Sequence, residues 1–88
     1  MRKKNDLTLF VQIPCLNEEK TIAEVIKEVP KSIEGISRIN ILVIDDGSSD
    51  NTISIAQKFD NVSILKNETN IGLARTFARG IHFCFSNG

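Results

Sequence analysis

The sequence predicts an α/β domain in which a parallel sheet carries helices on both faces. Three observations point there. Runs rich in β-branched and aromatic residues recur at Leu7–Ile13, Ile39–Ile44 and Val62–Leu65. A segment with helical apolar spacing follows each run, giving the order β-α-β-α-β-α. The second run is apolar throughout except at Asn40, as suits a strand covered on both sides. Right-handed crossovers then place the strands in the order 3-2-1, a Rossmann-like half of a doubly wound, three-layer sheet.

Each element has a local reason. Residues 1–6 are polar and expected to be a flexible N-terminus, with a single domain over 7–88. Pro14 fixes φ and lacks an N–H, so it is expected to end the first strand. Asn17 is a good helix N-cap, and Glu18 and Glu19 suit the positive end of a helix dipole. Ile22, Val25, Ile26 and Val29 fall on one helical face, and Pro30 stops that helix. A loop containing Gly35 leads to the second strand, which ends in Asp45–Asp50, a loop by composition. Asp50 can cap a helix carrying Ile53, Ala56 and Phe59. After the third strand, Asn67–Gly72 reads as a polar turn. Ala74, Phe77, Ala78, Ile81 and Phe85 then mark the apolar stripe of a last helix.

Length and charge narrow the possible functions. The chain has 88 residues, 41% hydrophobic and 25% charged, with eleven basic residues balancing eleven acidic ones. That balance argues against broad electrostatic capture of nucleic acid or of an anionic membrane. No apolar run approaches the roughly 18 residues of a membrane span, and no secretory signal follows the basic MRKKND start. Cys15 and Cys84 have neither zinc spacing nor disulfide density, which suits reduced thiols in the cytoplasm. A chain this short buries only about 60–65% of its unfolded surface, room for one modest core rather than for separate donor and acceptor pockets. It is therefore expected to be part of something larger.

The chemistry is expected at the carboxyl ends of the strands, where open α/β sheets bind ligands. Two polar segments converge there: Pro14–Glu18 after the first strand and Asp45–Asp50 after the second. Asp45 and Asp46 are adjacent, so they point in opposite directions. One can face a ligand and accept a hydrogen bond from a base N–H or a ribose hydroxyl, while the other turns back toward the loop. Local sequence equally admits that both merely cap the Gly47–Asp50 turn. Likewise, Asn17 and Glu18 are either a plain helix start or an organised turn with Glu18 at the ligand mouth. Free N–H groups at Asn70–Gly72 are candidates for holding a phosphate, although neither G-x-G-x-x-G nor G-x-x-x-x-G-K-[ST] is present. Arg75 and Arg79 share a helix face that either meets a diphosphate or is simply exposed. His82 lacks a partner cluster and reads as a surface residue. Cys15 has no evident base, which argues against a nucleophilic role.

The segments IPCLNEEKTIAEVI, ILVIDDGSSDNT and NETNIGLARTFARGI together resemble the family 2 glycosyltransferases. They carry P-x-x-N-E, D-D-G-S-x-D-x-T after a strand, and N-x-G-x-A, in that order. The likeness covers nearly the whole chain from Leu7 and is greatest to the branch acting on polyprenyl carriers, such as dolichyl-phosphate mannosyltransferases. It implies half of a GT-A fold that binds a nucleoside-diphosphate sugar. Pro14, Leu16 and Glu18 would line the nucleotide site, with Asn17 shaping their turn. Asp46 would meet the base, supported by Asp45 and the Gly47–Ser48 turn. A magnesium or manganese ion would bridge the donor diphosphate and offset charge on the leaving group, and a polyprenyl phosphate is the acceptor the branch implies.

Two departures set limits. Leu16 stands where the family often has an aromatic ring. The D-x-D metal motif, which relatives carry soon after the helix corresponding to Leu73–Phe85, does not occur in this sequence. The expectation is thus a nucleotide-binding portion truncated before the metal motif, with no catalytic or metal-binding residue of its own. It would bind donor weakly and turn nothing over, and its parent would be a hexosyltransferase at the cytoplasmic face of a membrane. A non-catalytic nucleotide-binding or assembly module is the alternative. The open edge of the first strand would then serve self-association or pairing with a chain that supplies the other half.

Overall fold

The structure, a computed structural model, describes residues 7–87. The expected flexible N-terminus lies outside the described residues. Three strands and three helices alternate: β1 (Thr8–Cys15), α1 (Ile22–Glu28), β2 (Arg38–Asp45), α2 (Thr52–Ala56), β3 (Val62–Lys66) and α3 (Leu73–Asn87). The sheet is parallel throughout, with β2 between β1 and β3. This is the expected order, a Rossmann-like α/β half.

Side-chain parity divides the core in two. From β1, Val11, Ile13 and Cys15 point to one face, joined by Ile41 and Val43 from β2 and by Val62 and Ile64 from β3. They pack with Ile22 and Ile26 of α1 and Ala56 of α2. The opposite face carries Leu42 and Ile44, both fully buried, and Gln12. Here α3 lies over the sheet. Burial on both faces explains why β2 reads as a continuous apolar run; each such Val, Leu or Ile contributes about 1.5–3 kcal/mol when removed from water.

The outer helix departs from its sequence pattern. Phe77 is 48% exposed and Ile81 38% exposed, so these two members of the apolar stripe face outward. Thr76 and Gly80 are buried instead. A Cβ on Gly80 would overlap Oε1 of Gln12 and Cδ1 of Ile44. Helix and sheet approach closely there, and a side chain at Gly80 would have to displace the ends of Gln12 and Ile44.

Two boundaries also differ. Pairing of β1 runs through Pro14, which lies opposite Ile44, to Cys15. The Cys15 carbonyl accepts the Asp46 N–H at 2.9 Å, so Cys15 turns its backbone groups toward β2. Pro14 then turns its nitrogen to the open edge, where no N–H is needed. The first helix begins at Ile22, not at Asn17. Its cap residue Thr21 makes no side-chain cap bond, because residues 18–21 form a separate turn in which the Glu18 carbonyl accepts the N–H groups of Thr21 and Ile22.

Candidate functional site

Pro14, Cys15, Leu16, Glu18, Asp46, Asn70 and Gly72 line an open cleft of about 290 Å³ at the carboxyl end of the sheet. Three loops build it: the turn after β1, the acidic loop after β2 and the turn before α3.

The first two loops are tied together by reciprocal hydrogen bonds. Asn17 donates its backbone N–H to Oγ of Ser48 at 2.8 Å, and its Oδ1 accepts the Ser49 N–H at 2.8 Å. Its φ of +52° is left-handed, a conformation that asparagine tolerates better than most residues. Glu18 donates its N–H to Oγ1 of Thr52 at 2.9 Å. Glu19 donates its N–H to Oδ2 of Asp50 at 3.2 Å, while Oδ1 of Asp50 accepts both the N–H and the hydroxyl of Thr52. The Thr52 side chain foremost, with backbone donors behind it, holds the Asp50 carboxyl below the usual carboxylate range. The cap residue of α2 is Asn51, not Asp50, and the helix ends at Ala56, before Phe59; Asp50 instead holds the Thr52 N–H from one position earlier and clamps the two loops.

Adjacent Asp45 and Asp46 turn in opposite directions. Asp45 bends back to its own loop: Oδ2 accepts the N–H groups of Gly47 at 3.2 Å and Ser48 at 2.9 Å, an Asx-type turn. Gly47 is left-handed at φ +89° and packs against the backbone of Asn70 at 3.2 Å from an ideal Cβ, so a glycine is required on both counts. Behind Asp45, the Cys15 thiol donates to its Oδ1 at 3.8 Å. Burial first, and then the charge of Asp45, pushes the thiol up to about 12. A thiol so placed is inert near neutral pH.

Asp46 faces the cleft. Its Oδ1 accepts Nδ2 of Asn67 and the backbone N–H of Ile71, each at 2.8 Å, and its Oδ2 accepts the Gly72 N–H at 2.9 Å. These donors, that of Ile71 foremost, hold its carboxyl below the usual range despite burial. The N–H groups of Ile71 and Gly72, expected to be free for a phosphate, are therefore already engaged by this carboxylate.

Of the residues marked by the sequence, Pro14, Leu16, Glu18 and Asp46 line the cleft, and Asn17, Asp45, Gly47 and Ser48 form the framework behind it. Cys15, Asn70 and Gly72 also line it. The last two were signalled by the N-x-G turn, but as phosphate donors rather than as a wall. Buried Asn67 carried no signal, since an asparagine in a polar turn reads as a surface residue. Arg79 donates to Oδ1 of Asn67 and to the Lys66 carbonyl, so one of the two arginines has an internal role.

The described residues do not offer a seat for the divalent ion the resemblance implies. Asp45, Asp46 and Asp50 each spend their oxygens on N–H and hydroxyl donors. Among the described residues no group of three His, Cys, Asp or Glu is placed to hold a metal, and no helix is long and apolar enough to cross a membrane.

Comparison with known proteins decides the family. The sequence model of glycosyl transferase family 2 matches residues 10–87. The chain belongs to this family. An uncharacterized protein of Methanocaldococcus jannaschii is 39% identical over 79 residues, covering 84% of this chain and 32% of the relative. A glucosyl-3-phosphoglycerate synthase of Petrotoga mobilis is 39% identical over 61 residues, 67% of this chain and 19% of the relative. A UDP-N-acetylglucosamine–dolichyl-phosphate N-acetylglucosaminyltransferase of Methanococcus voltae is 36% identical over 55 residues, 62% of this chain and 20% of the relative. The matches thus span a third or less of these relatives' length. This family member has a Rossmann-like α/β fold.

Proposed function

We propose that the cleft holds the nucleoside of a nucleoside-diphosphate sugar. One observation carries this reading. Asp46 stands on the cleft wall as a carboxylate whose plane is fixed by the Asn67 amide, the Ile71 and Gly72 N–H groups and the Thr76 hydroxyl. A base N–H or a ribose hydroxyl entering the cleft would donate to it. Pro14 and Leu16 provide an aliphatic wall for the ring, and Glu18 sits at the mouth.

For the whole protein the proposal is transfer of a hexose from such a donor to a phosphate-bearing acceptor on the cytoplasmic side of a membrane. The names of two relatives support it, one joining glucose to 3-phosphoglycerate and the other N-acetylglucosamine to dolichyl phosphate. A polyprenyl phosphate is the acceptor we favour, with magnesium or manganese at the donor diphosphate. These 88 residues are proposed to bind donor without turning it over, because positioning of an acceptor and stabilisation of a leaving group supply most of such a barrier reduction.

Calorimetric titration with UDP- and GDP-sugars, with and without manganese, tests the reading. Binding that falls at least about tenfold in Asp46→Ala, the loss of one charge-assisted hydrogen bond, is expected. Unchanged affinity in a folded Asp46→Ala chain would refute it.

A further inference from the structure

We infer that Asn67 is a positioning residue for the cleft, which fixes the plane in which the Asp46 carboxylate meets the nucleotide. The inference deepens the nucleotide reading and rests on it for the ligand, but the geometry behind it is independent of any ligand.

Asn67 is 2% exposed and sits just past β3. Its backbone N–H donates to the Asp45 carbonyl at 2.8 Å, which anchors the residue to the tip of β2. Its Nδ2 donates both to Oδ1 of Asp46 at 2.8 Å and to Oγ1 of Thr76 at 2.9 Å, and its Oδ1 accepts from Arg79. An amide offers two N–H donors and a carbonyl acceptor. All are engaged, so the side chain has one orientation and cannot flip its ends without placing a carbonyl against the carboxylate. Arg79 enforces this by demanding the oxygen.

The consequence falls on Asp46. Asn67 and the Ile71 N–H together fill both positions on Oδ1. With Oδ1 so engaged, the carboxyl plane is fixed, with Oδ2 held by the Gly72 N–H and the Thr76 hydroxyl a further partner of the carboxylate. A chain of contacts therefore runs from the guanidinium on α3, through the buried amide, to the carboxylate on the cleft wall. Removing the amide takes one of the two donors from Oδ1 and loosens the carboxyl plane.

Carboxyl titration in the nucleotide-free protein reads this out. The charged or titratable groups around Asp46 are Asp45 before it in the chain, Cys15 at the end of β1, Glu18 in the first loop, and Arg79 behind Asn67; Lys66 lies in register with Asp45 instead. Carbon-13 NMR of the Asp46 carboxyl is expected to show titration at higher pH in Asn67→Ala than in the wild type. Arg79→Ala should shift it less, and Arg79→Lys should restore most of the wild-type value. Affinity for the UDP- or GDP-sugar that binds the wild type should fall about tenfold in Asn67→Ala. If Asn67→Ala does not fold, the two Arg79 variants carry the test. A folded Asn67→Ala, or failing that Arg79→Ala, whose Asp46 titrates as in the wild type would overturn the inference. An NMR shift in a protein that binds no nucleotide sugar would instead uphold the positioning role and refute the ligand.

Discussion

The backbone N–H of Glu18 is satisfied by the hydroxyl of Thr52, at 2.9 Å. This contact locks the turn after β1 to the first residue of α2, and the same hydroxyl donates onward to Asp50. Thr52 is fully buried, so water cannot replace it. Thr52→Val keeps the shape and removes the hydroxyl. It should cost about 1–3 kcal/mol in urea denaturation, the penalty for an unsatisfied buried N–H. Thr52→Ser should recover most of it, and a Val variant as stable as the wild type would show that the lock is dispensable.

Asn17 combines a left-handed backbone with the bond to Ser49, and two substitutions separate these. Asn17→Gly keeps the conformation and loses the side-chain bond. Asn17→Ala loses both and should be less stable than Asn17→Gly by about 1–2 kcal/mol. Equal stabilities in thermal unfolding would contradict the assigned strain.

Acid sensitivity follows from Asp46 and Asp50. Both carboxyls sit below the usual range, through the Ile71 N–H foremost and the Thr52 side chain foremost, respectively. The unfolded chain therefore binds more protons than the native one as pH falls past about 4. Their stabilisation is fully present above that pH and is lost as pH descends through the folded values. Asp46→Asn should lower stability at neutral pH and flatten its decline on acidification. A decline as steep as the wild type's would mean that Asp46 is not one of the groups responsible.

Most of the fold was legible because strand and helix patterns are local. The continuous apolar run of β2 announced a strand buried on both faces, and the two polar loops at the strand ends announced the cleft. What escaped was set by contacts distant in sequence. Asn17 reads as a helix cap until Ser48 and Ser49 arrive from the neighbouring loop, and the helix then starts at Ile22. Ile71 and Gly72 read as free donors until Asp46 is brought against them. The stripe of α3 reads as the buried face, yet Thr76 and Gly80 are buried and Phe77 faces outward. Asn67 gave no sign of burial because its three side-chain partners lie 9 to 21 residues away.

Gly80 offers a direct check of that helix rotation. In an open helix, Gly→Ala stabilises by about 1 kcal/mol. Here the new methyl must displace Gln12 and Ile44, so Gly80→Ala should destabilise by about 1–3 kcal/mol. Shortening the partner in Gly80→Ala/Gln12→Ala should recover part of the loss. A stabilising Gly80→Ala would place α3 farther from the sheet than described.

The most direct measurement is amide chemical-shift mapping of the nitrogen-15-labelled chain during titration with UDP- and GDP-sugars. The account predicts saturable shifts at Cys15, Leu16, Glu18, Asp46, Asn70 and Gly72, which face one cleft from three loops. Shifts confined to other surfaces, or none at millimolar nucleotide sugar, would contradict it.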